Sequence, residues 1–315
     1  MVYQLLPGLE SYISGEHRGY AAVAVGSYYP HACSSFDHPV RYAASLRAKP
    51  ARSLLFVVVR GRSRVEDVSW RVSVNEVKVS RVFKPQHVLR APDASYYVYV
   101  ADVSPALRDT ANVELVLRCH AYDTHVEAAG FVSLLPGDFQ SRVAAYLGVS
   151  RVDGGLTLRV AEGGFSLVSV IGRGRGGSME INGTTRELNG LFEVSELARD
   201  NTVHVRGPAD VYAIVTTTLP GRPAELVVSG VRSGPGKLRL ELANPGDYPV
   251  DNVVVRLLRG AQVASAATLS RIGPRGAVEV DLDLPVTDAT VKVTYEFCGH
   301  EFSRLVRVGL NHSRA

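Results

Sequence analysis

Between Ser27 and Pro39 the chain reads SYYPHACSSFDHP, and between Cys119 and His125 it reads CHAYDTH. Imidazole and thiolate are the ligands zinc favours, so His31, Cys33 and His38 converging on the second stretch would make a metal site. The spacing fits no standard zinc motif. Cys33 and Cys119 would equally make a disulfide, or Cys119 could simply fill the core at the end of a strand. No residue is assigned as a metal ligand, and no cofactor is expected. The first stretch also carries what a sugar surface needs: Tyr28, Tyr29 and Phe36 offer aromatic faces for stacking, with Asp37 and the two histidines as hydrogen-bonding groups beside them. Tyr28, Tyr29, His31, Asp37 and His38 are therefore the candidate ligand-binding residues. A structural role for Tyr28 and Tyr29 competes with this reading, since Tyr96, Tyr97 and Tyr99 lie in an ordinary strand pattern.

Other constellations carry less. Gly172, Gly174 and Gly177 match the spacing of a dinucleotide fingerprint, but that chemistry needs a helix N-terminus to hold the pyrophosphate, and a period-2 stretch follows instead. The segment reads as a hairpin loop whose Arg173 and Arg175 form a thin footprint for a phosphate or an acidic partner. Asp281 and Asp283 alternate with Leu282 and Leu284, the pattern of a strand's solvent face. No nucleophile elbow, His-Glu-x-x-His helix or scaffolded carboxylate pair is present, so no catalytic residue is assigned and the chain is read as non-enzymatic. Asn182 and Asn311 head glycosylation sequons, although Asn182 is already accounted for as a turn residue.

The elements that must position these residues are strands. Apolar residues alternate at Trp70, Val72, Val74; at Val113, Leu115, Leu117; at Leu238, Leu240, Leu242; and at Val278, Val280, each stretch bounded by Gly, Pro, Asn or Asp. Helical periodicity is almost absent; the best candidates are Asp138 to Tyr146 and the turns after Ser104 and Ser195. The fold class expected is all-β, a tandem of sandwiches divided at the turn clusters Leu134–Asp138 and Leu219–Glu225: a jelly-roll-like block over 1–137, a smaller block over 138–222 and an immunoglobulin-like block over 223–315. A single larger sandwich over the first two blocks is the alternative.

One pattern occurs twice. Trp70 to Val74 lead to Asn75-Glu76, and Met179 and Ile181 lead to Asn182-Gly183; both dipeptides suit a two-residue hairpin. Each copy then reaches an acidic residue, Val and Ser (Asp102-Val103-Ser104, Glu193-Val194-Ser195), where Ser would cap a helical turn and Leu107 or Leu197 would plug the core. Outgoing strands begin at Val113 and Val203.

These residues resemble the galactose-binding-like jelly rolls, including the sugar-binding-like domain of some β-galactosidases, best over Leu54 to Tyr122. Glu76 for the turn Gly and Thr110-Ala111 before Asn112 depart from that pattern. The resemblance implies a sandwich, not a sugar site, because the motif positions build the fold. The block from Ala224 to Val308, with LRLELANPGDYPVDNVVVRLL and the turn Ile272 to Gly276, resembles the immunoglobulin-like CARDB modules of surface proteins, which implies adhesion, spacing or assembly.

With 315 residues, 46% of them hydrophobic, the chain can bury a large core. A net charge of +4 spread over that length is too sparse for a dedicated nucleic-acid binder, so none is expected as partner. Abundant Arg with scarce Asn, Gln and Met is compatible with a thermophilic source or with a GC-rich genome. The longest apolar run, Leu54 to Val59, is strand-sized, so no transmembrane segment is expected. The N-terminus has no signal-peptide pattern, and an extracellular or cell-surface place is nevertheless favoured. The function expected is surface adhesion or assembly with a glycan or a surface protein as candidate partner. A virion or filament subunit joined through β edges, and an accessory protein of a hydrolytic enzyme system, are the alternatives.

Overall fold

The structure is a computed structural model that describes residues 6–26, 30–62, 68–79, 84–160, 164–199, 201–234, 237–283 and 288–309. Its residues form two compact units, Met1–Pro220 and Gly221–Ala315. Both are β-sandwich structures, as the alternation of apolar residues requires.

The first unit begins with β1 (Leu9–Val25), β2 (His31–Ala32), β3 (Val40–Ser45), β4 (Arg52–Gly61), β5 (Ser69–Val74), β6 (Val77–Lys78), β7 (Pro85–Arg90) and β8 (Ser95–Asp102). It continues with β9 (Asn112–His120), β10 (Thr124–Val152), β11 (Gly155–Val160), β12 (Phe165–Ile181), β13 (Thr184–Ala198), β14 (Asn201–Arg206) and β15 (Ala209–Leu219). Among the described residues, β3-β9-β5-β6 form a four-stranded sheet, and the others form an eleven-stranded sheet along the path β11-β14-β12-β15-β10-β4-β8-β7.

The large sheet folds back on itself, and this explains its composition. Leu55, Val57 and Val59 of β4 pack with Val72, Val74, Leu115 and Leu117 of the small sheet. Leu54, Phe56 and Val58 point the other way, into a second core with Ala145, Leu147, Tyr212 and Val215. A strand covered on both faces has no polar side to show, so it reads as an unbroken apolar run. A third core gathers Leu158, Val170, Met179, Ile181, Val203 and Val205.

Two long ribbons carry the chain from layer to layer. β10 pairs with β1 along one edge, and with β4 and then β15 along the other. β12 likewise pairs with β13 along one edge, and with β15 and then β14 along the other. The β10 ribbon bends at Pro136–Gly137, where the register jumps from Gly19–Pro136 to Arg18–Gln140. Gly19 is required there: its φ is +136°, and a Cβ would lie 1.9 Å from the Leu135 carbonyl oxygen.

The expected division at 137–138 falls at this bend, within β10, and one sheet includes strands from both sides of it. The expected helix from Asp138 to Tyr146 is corrected to strand. Its alternating burial at Ser141, Val143 and Ala145 and its pairing with both β1 and β15 override a locally helix-friendly composition. The helical turn expected after Ser195 is also corrected: β13 runs on to Ala198, and the Ser195 hydroxyl meets that of Ser169 at 2.7 Å. After Ser104 a 3-10 turn does form, over Ser104–Leu107, with Leu107 fully buried. Its start is organised by Asp102 rather than by Ser104: Asp102 Oδ1 accepts the Ser104 N–H at 3.0 Å, and the Ser104 hydroxyl accepts the Ser53 N–H.

The second unit comprises β16 (Val227–Gly234), β17 (Lys237–Ala243), β18 (Val250–Arg259), β19 (Gln262–Ile272), β20 (Ala277–Asp283), β21 (Asp288–Phe297) and β22 (His300–Gly309). Sheets β16-β17-β20 and β19-β18-β21-β22 enclose Leu238, Leu240, Val253, Val255, Leu282 and Val293. Asn244 is fully buried yet satisfied: its amide donates to the Tyr248 and Gly273 carbonyls at 2.8 and 3.0 Å, and its Oδ1 accepts the Gly246 N–H at 3.1 Å. One side chain thereby joins the two turns that the sequence marked separately.

Candidate binding surface

The loop that carries the candidate ligand residues is fastened to the core beneath it. Cys33 and Cys119, both buried, form a disulfide. The Cys33 N–H donates to the Thr124 carbonyl, and the Ala121 N–H donates to the Cys33 carbonyl, each at 2.8 Å. His31 and Ala32 add a short strand to β10 opposite Val126 and His125. The disulfide consumes the two thiolates a zinc site would have needed. Among the described residues no group of three or more His, Cys, Asp or Glu is placed to hold a metal.

The structure brings only some of the five candidates to solvent. The His31 Nε2 lies 2.8 Å from the His38 carbonyl oxygen. A carbonyl only accepts, so Nε2 carries the proton and this ring closes the loop. Asp37 Oδ2 accepts the Ser35 hydroxyl at 3.0 Å, and the Asp37 N–H donates back to that hydroxyl at 3.0 Å. Asp37 and His38 are exposed. Tyr28 and Tyr29 lie outside the described residues.

Arg71 and His120 join them; His120 lies in the second stretch, Cys119 to His125, whereas Arg71 stands outside both. The Arg71 guanidinium lies over Phe36 at 4.6 Å from the ring centroid. The His120 ring is 6.0 Å from Phe36, and its Nδ1 is 3.0 Å from the Ser34 carbonyl oxygen. The loop therefore presents a guanidinium on an aromatic plate, flanked by a carboxylate and imidazoles. Such a set can hydrogen-bond hydroxyl and carboxylate groups while offering apolar contact.

A second polar cluster runs from the interior to the surface: Glu127, Arg173 and Asp210 are buried, whereas Arg175 and Asp93 are exposed. The Arg173 Nε lies 2.7 Å from Glu127 Oε2, and its Nη2 donates to the Glu127 carbonyl at 2.6 Å. Arg175 donates to Asp210 Oδ2 at 2.5 Å and to the Tyr96 hydroxyl at 2.7 Å; Tyr96 in turn donates to Asp210 at 3.0 Å. Arg60 and Arg151 share Asp93 at 2.8 and 2.5 Å and hold its carboxyl well below the usual range. Burial acts the other way on Asp210, pushing its carboxyl up despite Arg175. Burial, reinforced by the Glu127 and Asp210 charges, raises Tyr212 well above an ordinary tyrosine, and its buried hydroxyl has no hydrogen-bond partner among the described residues.

The acidic partner foreseen for Arg173 and Arg175 is thus the chain itself, and the glycine fingerprint is the bend of the β12 ribbon. A Cβ on Gly172 would lie 2.2 Å from the Asp210 carbonyl oxygen, and one on Gly174 2.0 Å from that of Leu188. The sequence signal for the cluster was available: Glu127 and Asp210 each interrupt an otherwise apolar strand, the mark of a charge paired inside.

No family model and no curated protein sequence matches the chain. Among solved structures it is similar to the β-D-glucuronidase of Dictyoglomus thermophilum, at 9% identity and a TM-score of 0.22, over 53% of this chain and 36% of that one. It is similar also to the β-glucuronidase of Lactobacillus rhamnosus, at 12% identity and a TM-score of 0.19, over 50% of this chain and 36% of that one. The GH2 β-galacturonidase of Eisenbergiella tayi, solved bound to galacturonate, matches at 0.20 and 10% identity, over 52% of this chain and 35% of its own. The chain thus covers little more than a third of each enzyme, and a likeness this slight carries no argument about activity.

Proposed function

We propose that this chain is a non-enzymatic adhesion or assembly protein of the cell surface or extracellular space, whose first unit recognises carbohydrate through the loop around Phe36. The observation that carries this reading is the buried Cys33–Cys119 disulfide under that loop. Disulfides persist in oxidising compartments, and a loop already fixed to the core loses little entropy when it binds. The Phe36–Arg71 pair beside Asp37 and His38 supplies aromatic and polar contacts of the kind a sugar takes. The strand order of the second unit, three strands facing four, supports the immunoglobulin-type, CARDB-like reading of that part.

The test is binding of the oxidised full chain to a panel of neutral and acidic glycans. Binding is expected to at least one class, and Phe36→Ala and Arg71→Ala should each weaken it at least ~10-fold, on the order of 1.4 kcal/mol. Tyr28→Ala and Tyr29→Ala test the loop's other aromatics. A chain that binds no glycan, or whose binding survives both the Phe36 and Arg71 changes, removes the carbohydrate part of the reading.

A further inference from the structure

On the three-stranded sheet of the second unit, Glu241 stands opposite Glu279, and Arg239 lies against that acidic row, 2.7 Å from Asp281 and 3.6 Å from Glu279. The four-stranded sheet also sets like charges opposite each other, with no ion pair among the described residues to offset them. Arg256 and Lys292 stand directly opposite each other on β18 and β21, with Arg307 one row further along, opposite Thr290. Like charges facing each other across an antiparallel pair are destabilising, and none of these three cations forms an ion pair among the described residues. Beside Lys292, Leu305 of β22 is 68% exposed.

The same face is acidic at its other end. Asp251, Glu296 and Glu301 lie in one row across β18, β21 and β22. Asp251 is matched by Arg271 at 3.5 Å, and Glu296 accepts a hydrogen bond from Asn252 at 2.7 Å. Between the two ends the face carries small or short side chains: Val254, Thr268, Thr294 and Ser303.

We infer that this face is where a second copy of the chain docks, face to face and turned end for end about a two-fold axis that crosses the strands at Thr294. Charge selects the axis. A two-fold along the strands would lay basic end on basic end, whereas one across them keeps the strand order and reverses direction. Lys292 then falls opposite Glu296 of the second copy, and Arg256 opposite Asp251. Four strands about 4.8 Å apart and some nine residues of about 3.3 Å give roughly 550 Å² per copy, about 1,100 Å² in all. That just clears the ~1,000 Å² expected of a specific contact, so the dimer should be weak, on the order of micromolar, and sensitive to salt.

The experiment is sedimentation equilibrium of the full chain at low and high salt, with Lys292→Glu and Glu296→Lys as single, double and mixed variants. A salt-sensitive dimer is expected for the wild type. Each single change should weaken it at least ~10-fold, and the double change should restore it. Mixing the two single variants should give a heterodimer that neither forms alone, because the all-acidic 292/296 pair of one meets the all-basic pair of the other; native mass spectrometry reads this directly. A monomer at every concentration overturns the proposal, as does a double variant no better than the singles. So does a wild type that stays monomeric and binds heparin or anionic vesicles through Lys292, which would make a polyanion the occupant.

Discussion

Asn75 meets Glu114 twice: its backbone N–H donates to the Glu114 carbonyl at 2.8 Å, and its Oδ1 accepts the Glu114 N–H at 2.7 Å. Asn182 treats Thr202 the same way, at 3.1 and 3.0 Å. Both residues head hairpins with positive φ at the two central positions, +45° and +67° for Asn75-Glu76, +51° and +82° for Asn182-Gly183. The repeated sequence pattern is thus a turn that also clamps the strand arriving later. Asn75→Ala loses the clamp and strains the turn, and should destabilise by about 2 kcal/mol; Asn75→Gly keeps the backbone and isolates the side-chain bonds. Glu76→Gly should instead stabilise by about 0.5–1 kcal/mol, because Glu76 holds a conformation costly for a residue with a Cβ. Urea midpoints of the three variants check the order; a Glu76→Gly variant weaker than wild type would contradict it.

The disulfide closes a loop with a sequence separation of 86 residues. Chain entropy assigns such a cross-link about 4–5 kcal/mol through the unfolded state. Reduction, or Cys33→Ser with Cys119→Ser, should lower the denaturation midpoint accordingly. It should also release the Phe36 loop, since Cys33 fixes it from below. A midpoint unchanged by reductant in a chain shown to be reduced would mean that the backbone bonds to Thr124 and Ala121 suffice.

How much of this was legible follows from range. Alternation and turn residues act locally, so the all-β class, both Asn hairpins and the solvent face at Asp281 and Asp283 could be read directly. Leu135-Pro136-Gly137 and the glycines at 172–177 read locally as turn chemistry, not as bends within continuous strands. A bend and a hairpin need the same residues, and they differ only in which strands lie alongside. Asp138 to Tyr146 has the composition of a helix and becomes strand because β1 and β15 flank it. In the candidate surface, Phe36, Asp37 and His38 were visible as a local cluster, whereas Arg71 reaches it from β5, a contact that spacing along the chain does not encode.

Tyrosine ionisation gives a pH dependence with a definite sign. Burial pushes Tyr99 up to about 12, raises Tyr96, and lifts Tyr212 well above its ordinary value. In the unfolded chain these hydroxyls ionise near pH 10. Above that point the unfolded state binds fewer protons than the folded one, so the free energy of unfolding falls as pH rises. Denaturation midpoints should drop between about pH 10 and pH 12, and ultraviolet titration should find a fraction of the tyrosines silent until the fold is lost. Tyr212→Phe should flatten the drop and, by removing an unpartnered buried hydroxyl, raise stability at neutral pH by about 1 kcal/mol. A Tyr212→Phe variant as pH-sensitive as wild type would place the effect on the other tyrosines.

The Glu127–Arg173 pair poses the last question, whether the buried charges hold the layers together or merely tolerate each other. Both side chains are nearly inaccessible, at 5% and 8% exposure. Desolvation opposes such a pair, and removing one partner strands the other charge in the interior. Glu127→Leu and Arg173→Met are therefore each expected to cost about 3–5 kcal/mol. The double variant replaces both charges with apolar groups of similar size and should recover much of that loss, giving a coupling energy of about 2 kcal/mol or more in a double-mutant cycle. Arg173 also donates to the Glu127 carbonyl, so recovery should stop short of wild type by the cost of one unmet backbone acceptor. Additive losses in the double variant would show that the guanidinium acts through that carbonyl alone, with the carboxylate a bystander.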